Sequence, residues 1–137
     1  MTEKEERMLE LFNDSLETCT SHPAFLDQFY DYFINASPEI AEKFAHTDIE
    51  NQKHVLHLSL YTLLMELQGN PEADDYLKHI AERHSHNDLD IKPELYTIWL
   101  DCLLKTARIF DPEFTDEVEQ AWQHVLQKGI DFMIAHY

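Results

Sequence analysis

The chain has 137 residues, 44% of them apolar, and we expect a single domain over residues 1–137 with one hydrophobic core. Its two glycines and five prolines exclude turn-rich β folds and glycine-rich phosphate loops. Because 27 acidic side chains outnumber 10 basic ones, the formal net charge is -17, which disfavours binding to nucleic acid or an anionic membrane.

The spacing of apolar residues predicts an all-α protein of about seven helices, and no alternating run indicates a strand. In chain order, we expect helices over about residues 3–19, 23–34, 38–44, 48–68, 72–86, 93–109 and 115–137. Pro23 and Pro38 suit a first helical turn, and Asp48 suits a helix cap. Gly69 marks the end of the helix that Asp48 begins.

Two further features concern the compartment of the protein. Cys19 and Cys102 stand alone without a CxxC pair, and we expect buried or free thiols instead of a disulfide. The charged N-terminal stretch and the lack of a long apolar run predict neither a signal peptide nor a membrane span. We therefore expect a cytoplasmic protein.

Nine histidines are many for this length and suggest a metal or haem site. Di-iron bundles need paired motifs, yet only His46 and Glu50 form an HxxxE, and neither HxxxH nor ExxH occurs. HExxH, GxSxG and GxGxxG are also absent, which removes the zinc protease, esterase and dinucleotide-binding signatures. What remains is the direction in which single histidines point.

His84 is the histidine that faces the predicted core. At 100° per residue it shares one face of its helix with Leu77 and Ile80, whereas His79 and His86 lie on the opposite side. A buried imidazole needs a hydrogen-bond partner or a metal. Both readings of His84, a structural histidine and a ligand of metal or haem, stay open at this point.

Two polar residues on other helices are predicted to face the same interior. Gln52 is the one polar residue on the inward face of its helix, from which His54 and His57 are turned away. Tyr30 stands at the edge of a phenylalanine stripe. Gln52 in a first turn and Tyr30 in a core are the structural alternatives, but one ligating histidine with two donors on separate helices suits haem.

Several segments match one known family. The segment FYDYFINASPEIAEKF, residues 29–44, is similar to the distal helix of bacterial globins and its proline-led turn into a haem-contacting phenylalanine. The spacing from Gln52 to IAERH, which ends at His84, KPELY at residues 92–96 and Trp122 continue the match. From about residue 23 onward, the chain resembles bacterial single-domain globins and the haem domain of flavohaemoglobins.

The resemblance implies a globin fold around haem b with His84 as the proximal iron ligand. It places Tyr30 and Gln52 on the distal side, where the gas binds. It further implies that the cofactor contacts Phe44, Leu56, Ile80 and Tyr96. Phe44 and Leu56 would also serve as ordinary core residues.

The implied function is reversible binding of dioxygen and of other diatomic gases, such as carbon monoxide and nitric oxide. Nitric oxide dioxygenation with a separate reductase is an alternative, although the chain has no reductase module and IDFMIAHY lacks the glutamate that flavohaemoglobins pair with the proximal tyrosine. The loop between His84 and Tyr96 is also about two residues longer than in flavohaemoglobins. A redox or gas sensor with His54 or His57 on the iron is a third reading. Whether the protein is an enzyme stays open.

Overall fold

The computed structural model describes residues 2–85 and 90–136, and these residues form seven α-helices with no strand. The helices are α1 (Glu3–Thr20), α2 (Ala24–Asn35), α3 (Pro38–Lys43), α4 (Ile49–Leu67), α5 (Pro71–His84), α6 (Pro93–Phe110) and α7 (Asp116–Ala135). The all-α prediction is confirmed, and the expected helix bounds lie close to the observed ones. His86, the expected end of the fifth helix, lies outside the described residues.

Local interactions explain where the helices begin. A side-chain oxygen just before the helix accepts a hydrogen bond from a first-turn N–H, as Asp48 does from Asn51 at 3.2 Å. Such a cap stabilises a helix by about 1 kcal/mol because it satisfies a donor that has no partner within the helix. The other side-chain caps of this kind are Thr2, Ser37, Asn70 and Thr115.

The turn between α4 and α5 is short and positions the site. Gly69 has a φ of 89°, a backbone conformation that glycine adopts without strain, and Asn70 then caps α5. Since α4 and α5 pack against each other, this turn makes them antiparallel neighbours. The start of α4, with Gln52, and the end of α5, with His84, therefore lie at the same end of the pair.

The core is built where α1, α6 and α7 meet. Trp122 is fully buried, and its ring meets Phe12 edge-on at a centroid distance of 5.0 Å. Its Nε1 donates to Ser15 Oγ at 2.9 Å, and Ser15 donates to Asp111 Oδ2 at 2.6 Å. These two hydrogen bonds satisfy three buried polar groups and connect segments that are far apart in the sequence.

Both cysteines are buried and unbridged, in line with the expectation from their spacing. Burial raises the pKa of the Cys19 thiol to about 12, with the nearby Asp111 charge adding to the shift. At Gly129 α7 lies close to α4, because a Cβ there would lie 2.8 Å from Leu63 Cδ2 and the Leu63 side chain would have to shift. No helix in the described ranges is long and apolar enough to cross a membrane.

Candidate functional site

His84, the last residue of α5, is half-buried and held in one tautomer. Its Nδ1 lies 2.8 Å from the carbonyl oxygen of Ile80, one turn earlier. A carbonyl only accepts hydrogen bonds, so Nδ1 carries the proton, and in a neutral imidazole Nε2 is then the nitrogen with the lone pair. This is the form in which a histidine ligates a metal, and metal-bound histidines commonly donate their second ring nitrogen to a carbonyl in this way.

The backbone around His84 is held by hydrogen bonds on both sides of residues 86–89. The N–H of Ile91 donates to the carbonyl of His84 at 3.0 Å, and the N–H of Asp90 donates to the carbonyl of Ser85 at 2.8 Å. Lys43 Nζ then donates to the Asp90 carbonyl at 3.1 Å, which ties α3 to this segment. These bonds limit the movement of the end of α5.

Tyr30, on α2, lies in the interior of the protein. It is 4% exposed, and its ring packs edge-on against Phe29 and Phe44 at centroid distances of 5.0 and 5.9 Å. Its hydroxyl donates to the main-chain carbonyl of Gln52 at 3.4 Å. Burial raises the pKa of the Tyr30 phenol well above its ordinary value, so the hydroxyl stays protonated and remains a donor.

The structure brings Tyr30 and Gln52 together. The Tyr30 hydroxyl contacts the main-chain carbonyl of Gln52, and a hydrogen bond with the Gln52 side chain lowers the pKa of Tyr30, against the larger effect of burial. The Gln52 side chain is half-buried at the start of α4. The role of the two residues as donors to a bound gas stays a prediction.

The other expected cofactor contacts come from four separate elements. Phe44, directly after α3, is half-buried and meets the Phe33 ring at 5.8 Å. Leu56 is 7% exposed and lies one turn beyond Gln52 on α4. Ile80 on α5 and Tyr96 on α6 are half-buried as well. Three of these side chains, Phe44, Ile80 and Tyr96, are only partly buried by the protein itself, which suits contact with a large, flat, apolar cofactor.

The remaining described histidines of α4 and α5 are placed away from this interior. His54 and His79 are exposed, and the ring of His57 packs against Tyr61 on its own helix at 5.4 Å. Within the described ranges, no group of three or more His, Cys, Asp or Glu is arranged to hold a metal ion. A lone histidine suits iron that a porphyrin already holds through four nitrogens, so the residues present fit haem.

One charged residue near the site was missed by the sequence analysis. Lys53 follows Gln52, and its Nζ lies 2.5 Å from Asp27 Oδ1 on α2 and 2.8 Å from Glu50 Oε1 on α4. The spacing of Glu50 and Lys53 is a signal for a pair within one helix. The bond to Asp27 crosses between helices, and no local pattern predicts it.

Comparison with known proteins identifies the family. The model of the globin family, described as "Globin", matches residues 27–133. The chain belongs to the globin family. The solved structure of PA3967 from Pseudomonas aeruginosa PAO1, described as structurally highly homologous to a human hemoglobin, matches this globin with a TM-score of 0.90 and 35% identity over 95% of this chain and 98% of that chain. No curated protein matches it significantly.

The comparisons confirm the predicted fold and family. The seven described helices of this globin form the globin fold, and the likeness to PA3967 supports a bacterial single-domain globin. Globins generally bind haem.

Proposed function

We propose that this globin binds haem b with His84 as the proximal ligand and reversibly binds dioxygen. The observation that carries the proposal is the hydrogen bond of 2.8 Å from His84 Nδ1 to the Ile80 carbonyl. When bound, haem would supply a ferrous iron that binds a diatomic gas, held in the protein by His84. Carbon monoxide and nitric oxide are expected to bind as dioxygen does.

His84 holds a fixed geometry in this proposal. Its bond to Ile80 sets the ring orientation and increases the basicity of Nε2, which acts as the donor to iron. The bonds at Ser85 and Ile91 hold its backbone, so binding of the cofactor costs little conformational entropy at this residue. Support also comes from the membership of the chain in a family that generally binds haem.

Tyr30 and Gln52 hydrogen-bond the dioxygen in this proposal. The contact of 3.4 Å between the Tyr30 hydroxyl and the Gln52 carbonyl is much longer than the usual 2.7–2.8 Å or so of an O–H···O bond, so the hydroxyl gives it up at little cost. Dioxygen in the pocket carries partial negative charge and accepts a bond worth about 1.5–3 kcal/mol. The Gln52 amide adds a second donor.

The apolar walls keep water out of the same space. Phe44 and Leu56 present no hydrogen-bonding group, so water gains no partner from them. The donor bonds of Tyr30 then act in surroundings of low polarity, where they are stronger than in water.

Nitric oxide dioxygenation with a separate reductase is the second candidate function. The observation in its favour is the protonated Tyr30 hydroxyl beside Gln52, because two donors hold dioxygen long enough for nitric oxide to reach it. Sustained nitrate production with a reductase and its electron donor distinguishes this activity from one stoichiometric oxidation. The sensor reading is less favoured, since His54 is exposed and His57 packs on Tyr61.

Absorption spectra of the haem-supplied protein and two variants test the proposal. The wild type should give a five-coordinate ferrous spectrum that shifts when carbon monoxide is added. His84→Ala should lose this spectrum, whereas His79→Ala, an exposed histidine on the same helix, should keep it. A six-coordinate ferrous spectrum without gas that His57→Ala abolishes would refute the distal assignment, and failure to take up haem would refute the whole proposal.

A further inference from the structure

A charged crosslink joins α2 to α4 beside the distal residues. The Lys53 side chain is only 17% exposed, and its ammonium group contacts the carboxylates of Asp27 and Glu50. Its bond to Asp27 raises the pKa of Lys53, so the lysine stays charged at any physiological pH. Because Glu50 and Lys53 share a helix while Asp27 lies on α2, the contact of 2.5 Å with Asp27 is the one that connects the two helices.

The position of this crosslink relates it directly to the proposed gas-binding residues. Lys53 is the residue after Gln52, and Asp27 lies one helical turn before Tyr30. The crosslink therefore runs parallel to the contact of 3.4 Å between the Tyr30 hydroxyl and the Gln52 carbonyl. A motion that carries the first turn of α4 away from α2 separates Lys53 from Asp27 and Gln52 from Tyr30 together.

The first turn of α4 depends on such support. Its residues Glu50 and Asn51 are exposed, and helix ends open more easily than helix centres. Among the described residues, α2 and α4 are not one of the helix pairs that pack closely along their length. Side-chain contacts, including the Tyr30 and Lys53 bonds, thus hold the start of α4 on α2.

We propose that Asp27 and Lys53 are positioning residues for the distal pocket. Their ion pair holds the first turn of α4 against α2, which keeps Gln52 beside Tyr30 and closes the route by which a gas leaves between the two helices. Neither side chain is assigned a contact with haem or gas. This inference rests on the proposed function, because it concerns the residues assigned there to dioxygen.

The ion pair should affect the separation of the first turn of α4 from α2 more than the stability of the whole protein. Asp27 is 60% exposed, so its attraction to Lys53 is partly screened by water and salt. Breaking one such pair changes an opening equilibrium by about 1.5-fold to fivefold. An effect of this size is measurable in a dissociation rate.

The experiment compares Lys53→Met, which keeps the aliphatic stem, and Asp27→Asn with the wild type. Each variant should speed dioxygen dissociation from the haem-loaded protein by about 1.5-fold to fivefold. The double variant should add little to Lys53→Met, since both single variants remove the bond between Lys53 and Asp27. Backbone amides of residues 52–56 should exchange with solvent faster by a similar factor, while those of α6 stay unchanged. Raising the salt concentration should reproduce part of the effect in the wild type only.

Three further variants separate this role from a general loss of charge. Lys78→Met breaks another lysine–carboxylate pair, with Asp74 on α5, and should leave both measurements unchanged. Glu50→Gln removes a partner within α4 and should act less than Asp27→Asn. Lys53→Arg keeps the charge and should restore slow exchange at residues 52–56.

The outcomes distinguish this inference from the proposed function. Unchanged amide exchange in Asp27→Asn, a variant that leaves α4 intact, would overturn the positioning role, and so would faster exchange with an unchanged dissociation rate. An equal effect of Glu50→Gln would show that the pair only stabilises α4 locally. If the wild type takes up no haem, the proposed function fails, but the exchange measurement still reports whether the crosslink holds the helix.

Discussion

Replacing Tyr30 by phenylalanine removes one hydroxyl from the distal pocket and leaves the ring packing against Phe29 and Phe44 in place. The lost bond to dioxygen contributes about 1.5–3 kcal/mol, and the long contact with Gln52 that the hydroxyl gives up offsets roughly 0.5–1 kcal/mol of it. The remaining 1–2 kcal/mol or so corresponds to dioxygen dissociation about 5–30 times faster in Tyr30→Phe.

Stopped-flow displacement of dioxygen by carbon monoxide measures this rate. Tyr32→Phe is a matched control, because Tyr32 is half-buried two residues further on and its ring lies under the Lys105 ammonium at 4.0 Å. It should keep the wild-type rate. The free energy of unfolding of Tyr30→Phe should fall by less than about 1 kcal/mol, since the lost internal contact is weak. An unchanged dissociation rate in Tyr30→Phe would refute the assignment of Tyr30 as a donor.

Three further predictions concern the core. Because the pKa of Cys19 is about 12 in the folded protein against 9.0 ordinarily, its contribution to stability is complete below pH 9 and is lost as the pH rises toward 12. The free energy of unfolding of the wild type, measured in urea, should therefore fall relative to that of Cys19→Ala by up to about 1.4 kcal/mol per pH unit above 9. Trp122→Phe removes the donor to Ser15 and leaves a cavity, so it should lower the free energy of unfolding by about 2–4 kcal/mol. Gly129→Val forces methyl groups against Leu63 and should lower it by about 1–3 kcal/mol.

Matched variants control these measurements. Trp99→Phe alters a half-buried tryptophan and should cost clearly less than Trp122→Phe. Equal losses would contradict the role of the buried hydrogen bond to Ser15. If the free energy of unfolding depends on pH in the same way in the wild type and in Cys19→Ala, the raised pKa of Cys19 is contradicted. An unaltered unfolding curve for Gly129→Val would show that Leu63 has room to move.

The sequence predicted the elements of this fold because their signals are local. Asp48 accepts a hydrogen bond from the N–H group three residues later, at the start of α4, and Gly69 supplies the positive φ just after α4 ends. The helical period alone turned His84 inward, and the structure adds the bond to Ile80 one turn earlier on the same helix. The family resemblance, which the comparison with known globins confirms, rested on the same short spacings.

Contacts between helices were decided by the tertiary structure. The sequence placed Tyr30 and Gln52 on one interior but did not indicate that the hydroxyl would donate to the main-chain carbonyl. It gave no sign of the pairing of Lys53 with Asp27, or of the bond from Trp122 to Ser15 across 107 positions. A helix shows its own apolar face through its period of 3.6 residues, but the residue it meets on a neighbour depends on the angle and height at which the two helices cross. That crossing is set by the packing of the whole core, and it brings the donors of this site together.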